Sequence, residues 1–223
     1  MENLQIHIKI GAEFYLKDPD STDLGKRIIS ESIELIEQLG FEAFTFKKLG
    51  LTIGSPESSI YRYFQSKQHL LIYLICWYWS WLEYKIVFGI HNIQSKKLKL
   101  ETALNTLTQP IEVDHQFAHI NEMALNKIVI AESTKVFHTK AIDEENEKGY
   151  FKVYKRLVQR ISNIIIELNP KYRYPHMLVS TVIEGVHQQT YFAEHLPSLT
   201  DHSEEKNCIT TFYHQLVFNA ILK

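Results

Sequence analysis

The side chains best suited to chemistry in this sequence are hydroxyls, amines and a guanidinium gathered between residues 45 and 67. The stretch holds four positive side chains against one negative, a local charge of +3, whereas the whole chain carries a formal net charge of −2. A basic patch on an acidic protein is typical of docking on nucleic-acid phosphates, although lysines on a helix can also be simply solvated. The charged residues are Lys47, Lys48, Arg62 and Lys67, opposed by Glu57.

Two short helices joined by a tight turn are predicted to present these residues. Thr45 is a good N-cap for the first helix, whose apolar residues would face inward and whose lysines would stay outside. Gly54-Ser55-Pro56 then breaks the chain, and the second short helix is predicted from about Pro56 to Phe64. Two short helices around such a turn form a helix-turn-helix.

The start of the second short helix has side chains that fit a DNA groove. Its leading residues Glu57, Ser58 and Ser59 are small or hydrogen-bonding, as entry into a major groove about 12 Å wide requires. Tyr61 and Tyr63 follow them, and burial in the core is the alternative role for both tyrosines.

Longer helices are predicted on both sides of the motif. Residues 21–23 are all good N-caps for the preceding helix, and Gly40 has the residue type that commonly ends one. Ser66 would cap a long helix over residues 67–88. Apolar spacings of three and four recur through most of the chain, which predicts a nearly all-α protein.

Residues 27–75 resemble the DNA-binding domain of the tetracycline-repressor (TetR/AcrR-type) family of transcriptional regulators. The specific part runs from Ile60 to Leu71 and keeps the order apolar-Tyr-x-aromatic-Phe, two residues, Lys, two residues, Leu-Leu. The resemblance implies an all-α fold, in which a long fourth helix joins a three-helix helix-turn-helix head to a larger C-terminal body for ligand binding and dimerisation. We expect an N-terminal arm at 1–22, the DNA-binding head at 23–68 and the effector-binding and dimerisation domain at 69–223.

The resemblance also implies roles for individual residues of the head. Thr45 and Tyr61 would bind phosphate oxygens, Tyr63 would support the same strand, and Lys67 would add a charged phosphate contact. Such contacts set position and affinity rather than sequence. The other residues would reach base edges or the nearby backbone. The whole expected DNA-binding set is Thr45, Lys47, Lys48, Glu57, Ser58, Ser59, Tyr61, Arg62, Tyr63 and Lys67.

The sequence departs from the family pattern at four positions of the head. Pro56 stands where Ser or Thr is usual and lacks a backbone N–H donor, and Ser58 stands where Gly or another small residue is common. Gly50 replaces a frequent Ala and would weaken its helix by ~1 kcal/mol. Glu57 brings an acid towards the DNA polyanion. We expect these departures to alter the operator sequence more than DNA binding itself.

Two long helices are predicted at the C-terminal end, over residues 175–195 and 201–222. Each has an apolar stripe that needs a cover. The resemblance implies that both stripes join a four-helix interface with their copies in a symmetric homodimer, and burial within one chain is the alternative. The expected interface residues are Val179, Val182, Ile183, Val186, Thr190, Phe212, Tyr213, Leu216, Val217 and Ala220.

The first residues of the chain form an arm with an alternating pattern. Leu4, Ile6, Ile8 and Ile10 alternate with polar residues, which suggests a short strand. A lone strand needs a partner, so the arm is either flexible or packed on the body or on a second chain.

Composition limits where the protein acts. Apolar residues make up 45% of the chain and aromatic residues 12%, which excludes a disordered protein. Two cysteines, Cys76 and Cys208, suit a reducing interior, and no apolar block of the signal-peptide kind is visible. The longest apolar run, residues 70–82, is shorter than the ~20 residues of a membrane span. We expect a cytoplasmic protein without a membrane partner.

A metal-binding function is the rival hypothesis. Two Glu-x-x-His pairs, Glu112 with His115 and Glu184 with His187, have the spacing of di-iron carboxylate bundles. With 11 histidines among many glutamates, such spacings also arise by chance. We therefore predict no metal site, catalytic residue or cofactor.

The favoured function is transcription regulation without enzyme activity. We predict a ligand-responsive repressor that binds a pseudo-palindromic DNA operator as a homodimer and is released by a small-molecule effector of unknown identity. The alternatives are a di-iron or other metal-binding helical enzyme and a helical scaffold that keeps a vestigial DNA-binding head.

Overall fold

The computed structural model describes residues 8–114, 116–117, 119–201 and 207–222. All regular secondary structure in these residues is helical, which confirms the predicted all-α class. None of the helices in this part of the chain is both long and apolar enough to span a membrane. The α-helices are α1 Asp23–Leu39, α2 Phe46–Thr52, α3 Glu57–Ile60, α4 Lys67–Ile90, α5 Lys96–Thr108, α6 Glu122–Glu132, α7 Thr134–Phe137, α8 Ile142–Glu147, α9 Lys152–Leu168, α10 Pro175–His195 and α11 Cys208–Ile221.

The chain forms two compact units. The first contains Met1–Ser80 and Ile111–Lys152, and the second contains Trp81–Pro110 and Val153–Lys223. The long helix α4 contributes residues to both units. The boundaries expected from the sequence concern function rather than compactness, and they stay predictions.

The first helix begins and ends where its sequence predicts. Thr22 is its N-cap, and the Thr22 Oγ1 atom accepts a hydrogen bond of 3.0 Å from the backbone N–H of Gly25. Gly40 follows the helix with φ of +76°, a conformation that favours glycine, and its N–H donates to the carbonyl of Ile36. The apolar face is buried through Ile28, Ile29, Ile33 and Ile36.

The helix predicted to follow the Gly54-Ser55-Pro56 turn is shorter than expected. Regular α-helix covers only Glu57–Ile60, and Pro56 is its N-cap with extended backbone rather than its first helical residue. The chain then tightens, because the N–H of Tyr63 donates to the carbonyl of Ile60 three residues earlier. Phe64 donates to the same carbonyl, so the helical path still reaches the predicted end in a compressed form.

In the second unit, α5, α10 and α11 pack on one another. Gly185 of α10 permits a close approach, since a Cβ atom at this position would collide with the Tyr213 hydroxyl of α11. An ion-pair cluster links α4 to α9. The buried Glu83 carboxylate accepts hydrogen bonds of 2.7 and 2.8 Å from Arg156 Nε and of 3.1 Å from Arg160 Nη2.

Candidate nucleic-acid interface

The turn between α2 and α3 depends on a glycine. The carbonyl of Gly50 accepts a 2.9 Å hydrogen bond from the N–H of Ser55. A Cβ atom at Gly50 would lie 2.7 Å from the Ser55 carbonyl oxygen, and backbone at that distance has to move. The glycine expected to weaken α2 is thus what allows the turn to close.

Six of the ten expected DNA-binding residues have exposed side chains on the helix-turn-helix. The Oγ1 atom of Thr45 caps α2 by accepting the N–H of Lys48 at 3.2 Å, which leaves its hydroxyl proton for a further acceptor. The Tyr61 ring is 48% exposed and packs edge-on against Phe46 with 5.1 Å between ring centroids. The exposed residues are Thr45, Lys47, Lys48, Ser58, Tyr61 and Arg62.

Apolar residues of the same two helices hold this surface in place. Phe46 and Leu49 of α2 are buried, as are Ile60 at the end of α3 and Phe64 after it. Arg27 of α1 donates a 3.1 Å hydrogen bond to the carbonyl of Ile53, one of the free carbonyls at the end of α2. The head therefore presents polar side chains from a fixed scaffold.

Four expected DNA-binding residues are less accessible. Glu57 is half-buried, and Ser59 is buried. Tyr63 is also buried, and its hydroxyl lies 2.7 Å from Thr22 Oγ1 in a hydrogen bond that ties the turn after α3 to the start of α1. Burial in the core, the alternative role considered for Tyr63, therefore applies to its ring, and its hydroxyl already has a protein partner.

Lys67 is the fourth of these residues, and its ammonium is occupied by backbone. Lys67 Nζ donates to the carbonyls of Phe41, Glu42 and Phe44 at 3.0, 3.1 and 3.2 Å. An ammonium has three donors, so this set uses all of them. A direct phosphate contact by Lys67 would require breaking at least one of these bonds.

The turn over residues 41–44 is held from a second side by α6 and α7. The Glu132 carboxylate accepts the N–H of Phe41 at 3.2 Å, and its other oxygen lies 2.8 Å from Lys135 Nζ. The same ammonium lies 2.8 Å from Glu42 Oε1. Hydrogen bonds to Glu132 and then to Glu42 raise the pKa of Lys135. This cluster positions the turn that leads into Thr45.

The predicted N-terminal arm packs on the head from residue 8 onward, and we call residues 8–22 the N-terminal strap. Its side chains Ile8, Ile10 and Phe14 are buried. The Leu16 N–H donates to the Tyr63 carbonyl at 2.7 Å. No strand is present in the strap, and residues 1–7, which carry most of the predicted strand, lie outside the described residues.

The C-terminal stripes are largely covered within one chain. Six of the ten expected interface residues are buried, because α10 packs on α5 and α11 of the same unit. Phe212 is 55% exposed and Leu216 is 38% exposed; Ala220 is exposed and Thr190 is half-buried. The role of the stripes in a dimer stays a prediction. The buried residues are Val179, Val182, Ile183, Val186, Tyr213 and Val217.

The rival metal pairs are not assembled into a site in the described part of the chain. No three His, Cys, Asp or Glu side chains gather there in a group that could hold a metal ion. Glu184 accepts a 2.8 Å hydrogen bond from the Tyr154 hydroxyl, and burial lowers the pKa of His187 to about 4. His115 of the other pair lies outside the described residues.

Sequence reasoning missed the Glu132 cluster as a part of the head, and for the strap it left a flexible arm and a packed arm as alternatives. The exposed Lys17 ammonium lies 5.2 Å from the centroid of the Tyr63 ring. The alternating apolar residues of the arm were the one signal for the strap. Glu132 and Lys135 gave no local signal, because each meets residues about 90 positions away.

Comparisons with known proteins find similarity to the helix-turn-helix segment and to the fold. The family model described as "Bacterial regulatory proteins, tetR family" matches residues 28–74, which confirms the resemblance seen in the sequence. No curated protein sequence matches the chain.

Several solved structures share the fold over nearly the whole chain. The fatty acid degradation regulator FadR from Bacillus halodurans is 17% identical with a TM-score of 0.60, and the match covers 94% of this chain and 96% of FadR. The TetR family transcriptional regulator PfmR from Thermus thermophilus is 15% identical with a TM-score of 0.59, over 87% and 98% of the two chains. The ketosteroid transcriptional regulator KstR2 of Mycobacterium tuberculosis is 14% identical with a TM-score of 0.54, over 90% and 96%.

Proposed function

We propose, from the premise that this chain is a regulator of the TetR type, that it binds double-stranded DNA as a homodimer and represses transcription until an effector releases it. The function is binding rather than catalysis, and it would be carried out in the cytoplasm. One observation carries the proposal: the helix-turn-helix presents exposed hydroxyl and cationic side chains from a scaffold with a buried apolar core.

Different residues would position the DNA and specify its sequence. Thr45 and Tyr61 offer hydroxyl donors for phosphate oxygens, which fix the register of the head on the duplex. Lys47 and Arg62 carry cations that can donate to the O6 and N7 acceptors of guanine in the major groove. Ser58 is the exposed hydroxyl of α3 and can pair with either kind of base edge.

Selection of binding sites from a random-sequence DNA pool tests the proposal. The wild-type protein should enrich an inverted repeat with half-sites one helical turn or a multiple of it apart. Arg62→Gln should weaken binding of the selected duplex by about 10- to 100-fold and relax the preference at one base pair. Lys171→Gln, which removes the same charge from an exposed position of the second unit, is the control.

Three outcomes would count against regulation through DNA. Failure of the wild-type protein to enrich any sequence would favour the scaffold alternative. Equal losses of DNA affinity for Arg62→Gln and Lys171→Gln would show that binding depends only on the net charge of the protein. Stoichiometric iron in the purified protein would favour the di-iron alternative.

The proposed dimer uses the exposed members of the C-terminal stripes. Phe212, Leu216 and Ala220 lie on α11 at spacings of four, so they share one helix face. Six of the other stripe residues are buried in their own chain and Thr190 is half-buried, so these three are the most exposed ones left for a partner. A twofold axis would then bring two α11 faces together.

The proposed effector would act on the second unit. Apolar side chains from α5, α9, α10 and α11 surround a small void that has no room for a water-sized group. An apolar effector would therefore have to widen the void and shift these helices. It would release DNA only to the extent that it binds the widened state more tightly. The lining residues are Leu104, Leu107, Ile161, Ile165, Leu178, Val179, Val182 and Val217.

A further inference from the structure

The N-terminal strap packs beside Tyr63, which follows α3 in the helix-turn-helix. Two hydrogen bonds of 2.7 Å tie the strap to Tyr63. The Tyr63 carbonyl accepts the N–H of Leu16, and the Tyr63 hydroxyl pairs with Thr22 Oγ1. The strap has a second anchor, where the centroid of the Phe14 ring lies 4.9 Å from that of Tyr150. A residue between Phe14 and Thr22 is therefore held at a fixed place beside Tyr63.

Lys17 is the cation of this fixed stretch. Its ammonium lies 5.2 Å from the centroid of the Tyr63 ring, and its side chain is exposed. Tyr63 directly follows Arg62 and is two residues from Tyr61, both exposed. The Lys17 charge thus lies next to the polar surface that we propose for DNA, although Lys17 precedes residues 28–74 of the family model.

The nearby acids have other partners. Asp18 Oδ1 accepts the N–H of Asp20 at 2.9 Å, and Asp20 Oδ1 lies 3.1 Å from His119 Nε2. Within the described part of the chain, neither acid forms an ion pair with Lys17. The ammonium therefore keeps its donors for another acceptor.

We propose that Lys17 contacts a DNA phosphate in place of the Tyr63 side chain. Tyr63 has a buried ring and a hydroxyl bonded to Thr22, so its side chain is not available for the DNA contact predicted for it. The Lys17 ammonium beside the ring would make that contact instead. The inference rests on the proposed function and adds a contact from outside the helix-turn-helix. A phosphate contact of this kind contributes affinity without base preference.

The salt dependence of DNA binding tests this contact. Affinity for one duplex selected by the wild-type protein is measured between about 50 and 200 mM salt, with Lys17→Met, Lys17→Arg and Lys140→Met beside the wild type. Lys17→Met should make the slope of log K against log salt shallower by about 0.9 per subunit. Lys17→Arg should keep the wild-type slope. Lys140, an exposed lysine of the same unit, controls for net charge.

Ethylation of single DNA phosphates provides an independent measurement. The wild-type protein should be sensitive to one more phosphate in each half-site than Lys17→Met, while selected base sequences stay the same. An unchanged slope with unchanged ethylation sensitivity would refute the contact. Equal slope changes for Lys17→Met and Lys140→Met would also refute it. A wild-type protein that binds no duplex would instead refute the proposed function.

Discussion

At the scale of single residues, the environments of Gly50 and Lys67 differ from what their types suggested. Glycine in a helix is usually a weakness, yet Gly50 allows the Ser55 carbonyl to approach its α-carbon. The resemblance implied a phosphate contact for Lys67 at the start of α4, yet the three donors of its ammonium bond to carbonyls of the turn at 41–44. Both roles depend on backbone atoms that the sequence does not locate.

The change Gly50→Ala should destabilise the protein by up to about 2 kcal/mol. Alanine gains ~1 kcal/mol in helix propensity but places Cβ 2.7 Å from the Ser55 carbonyl oxygen. Chemical denaturation followed by circular dichroism measures the difference. Gly89→Ala is the control, since its Cβ would meet only the Thr102 side chain, at 3.2 Å. Equal or greater stability of Gly50→Ala would show that the turn relaxes without cost.

The change Lys67→Met should lower stability by about 1–3 kcal/mol, since three carbonyls lose a charged donor. Lys67→Met should change the salt slope of DNA binding less than Lys47→Met does, because the Lys47 side chain is exposed. Melting temperature and salt-dependent binding of both variants provide the comparison. A full unit of slope lost with an unchanged melting temperature would restore the phosphate role of Lys67.

At the scale of helices, local signals predicted the head well. The caps Thr22, Thr45 and Ser66 each accept a hydrogen bond from the backbone N–H three residues on, so the helix starts follow from neighbouring residues. The compressed end of α3 was not predictable, since tightening to i→i+3 bonds accompanies burial of Tyr63 and its bond to Thr22. The Glu132 cluster was missed for a similar reason: it joins distant segments.

The link between α4 and α9 should depend on pH. Burial would raise the pKa of Glu83, but the hydrogen bonds and charges of Arg156 and then Arg160 outweigh it and lower the pKa. A lowered pKa stabilises the fold at pH values above the ordinary glutamate pKa of about 4.3, and this stabilisation is lost as pH falls through the lowered value. Glu83→Gln should therefore cost about 1–2 kcal/mol at neutral pH, since both arginines are partly solvated.

Unfolding free energies of the wild type and Glu83→Gln from pH 3 to 8 measure this effect. The difference between the two proteins should be constant near neutrality and shrink below about pH 4. Glu101→Gln, which removes the half-buried partner of the exposed Lys97 at 3.7 Å, should show a much smaller difference over this pH range. A pH-independent cost of Glu83→Gln would mean that packing, not charge, stabilises the link.

At the scale of the whole molecule, the sequence predicted the class of fold but not which apolar residues stay exposed. Helical periodicity marked Val182 and Leu216 equally as stripe residues. Only the packing of α10 on α5 and α11 buries Val182 and leaves Leu216 partly exposed. One chain therefore covers most of the surface that the sequence assigned to a partner.

The change Leu216→Glu should convert the proposed dimer to a monomer, because it would bury a carboxylate between two copies of α11. Sedimentation velocity at micromolar concentration measures the state, and DNA affinity should fall with it. Leu98→Glu, an exposed leucine of α5, is the control. A Leu216→Glu protein that sediments like the wild type would place the interface elsewhere.

The strap has a practical consequence for anyone shortening this protein from its N-terminus. A fragment trimmed to the start of α1 would lose Phe14 and Thr22, and with them the cover of Tyr150 and the partner of the Tyr63 hydroxyl. Uncovered aromatic surface favours self-association. Such a fragment should precipitate or bind DNA poorly even though it keeps the whole family motif, so trimming should stop before Ile8.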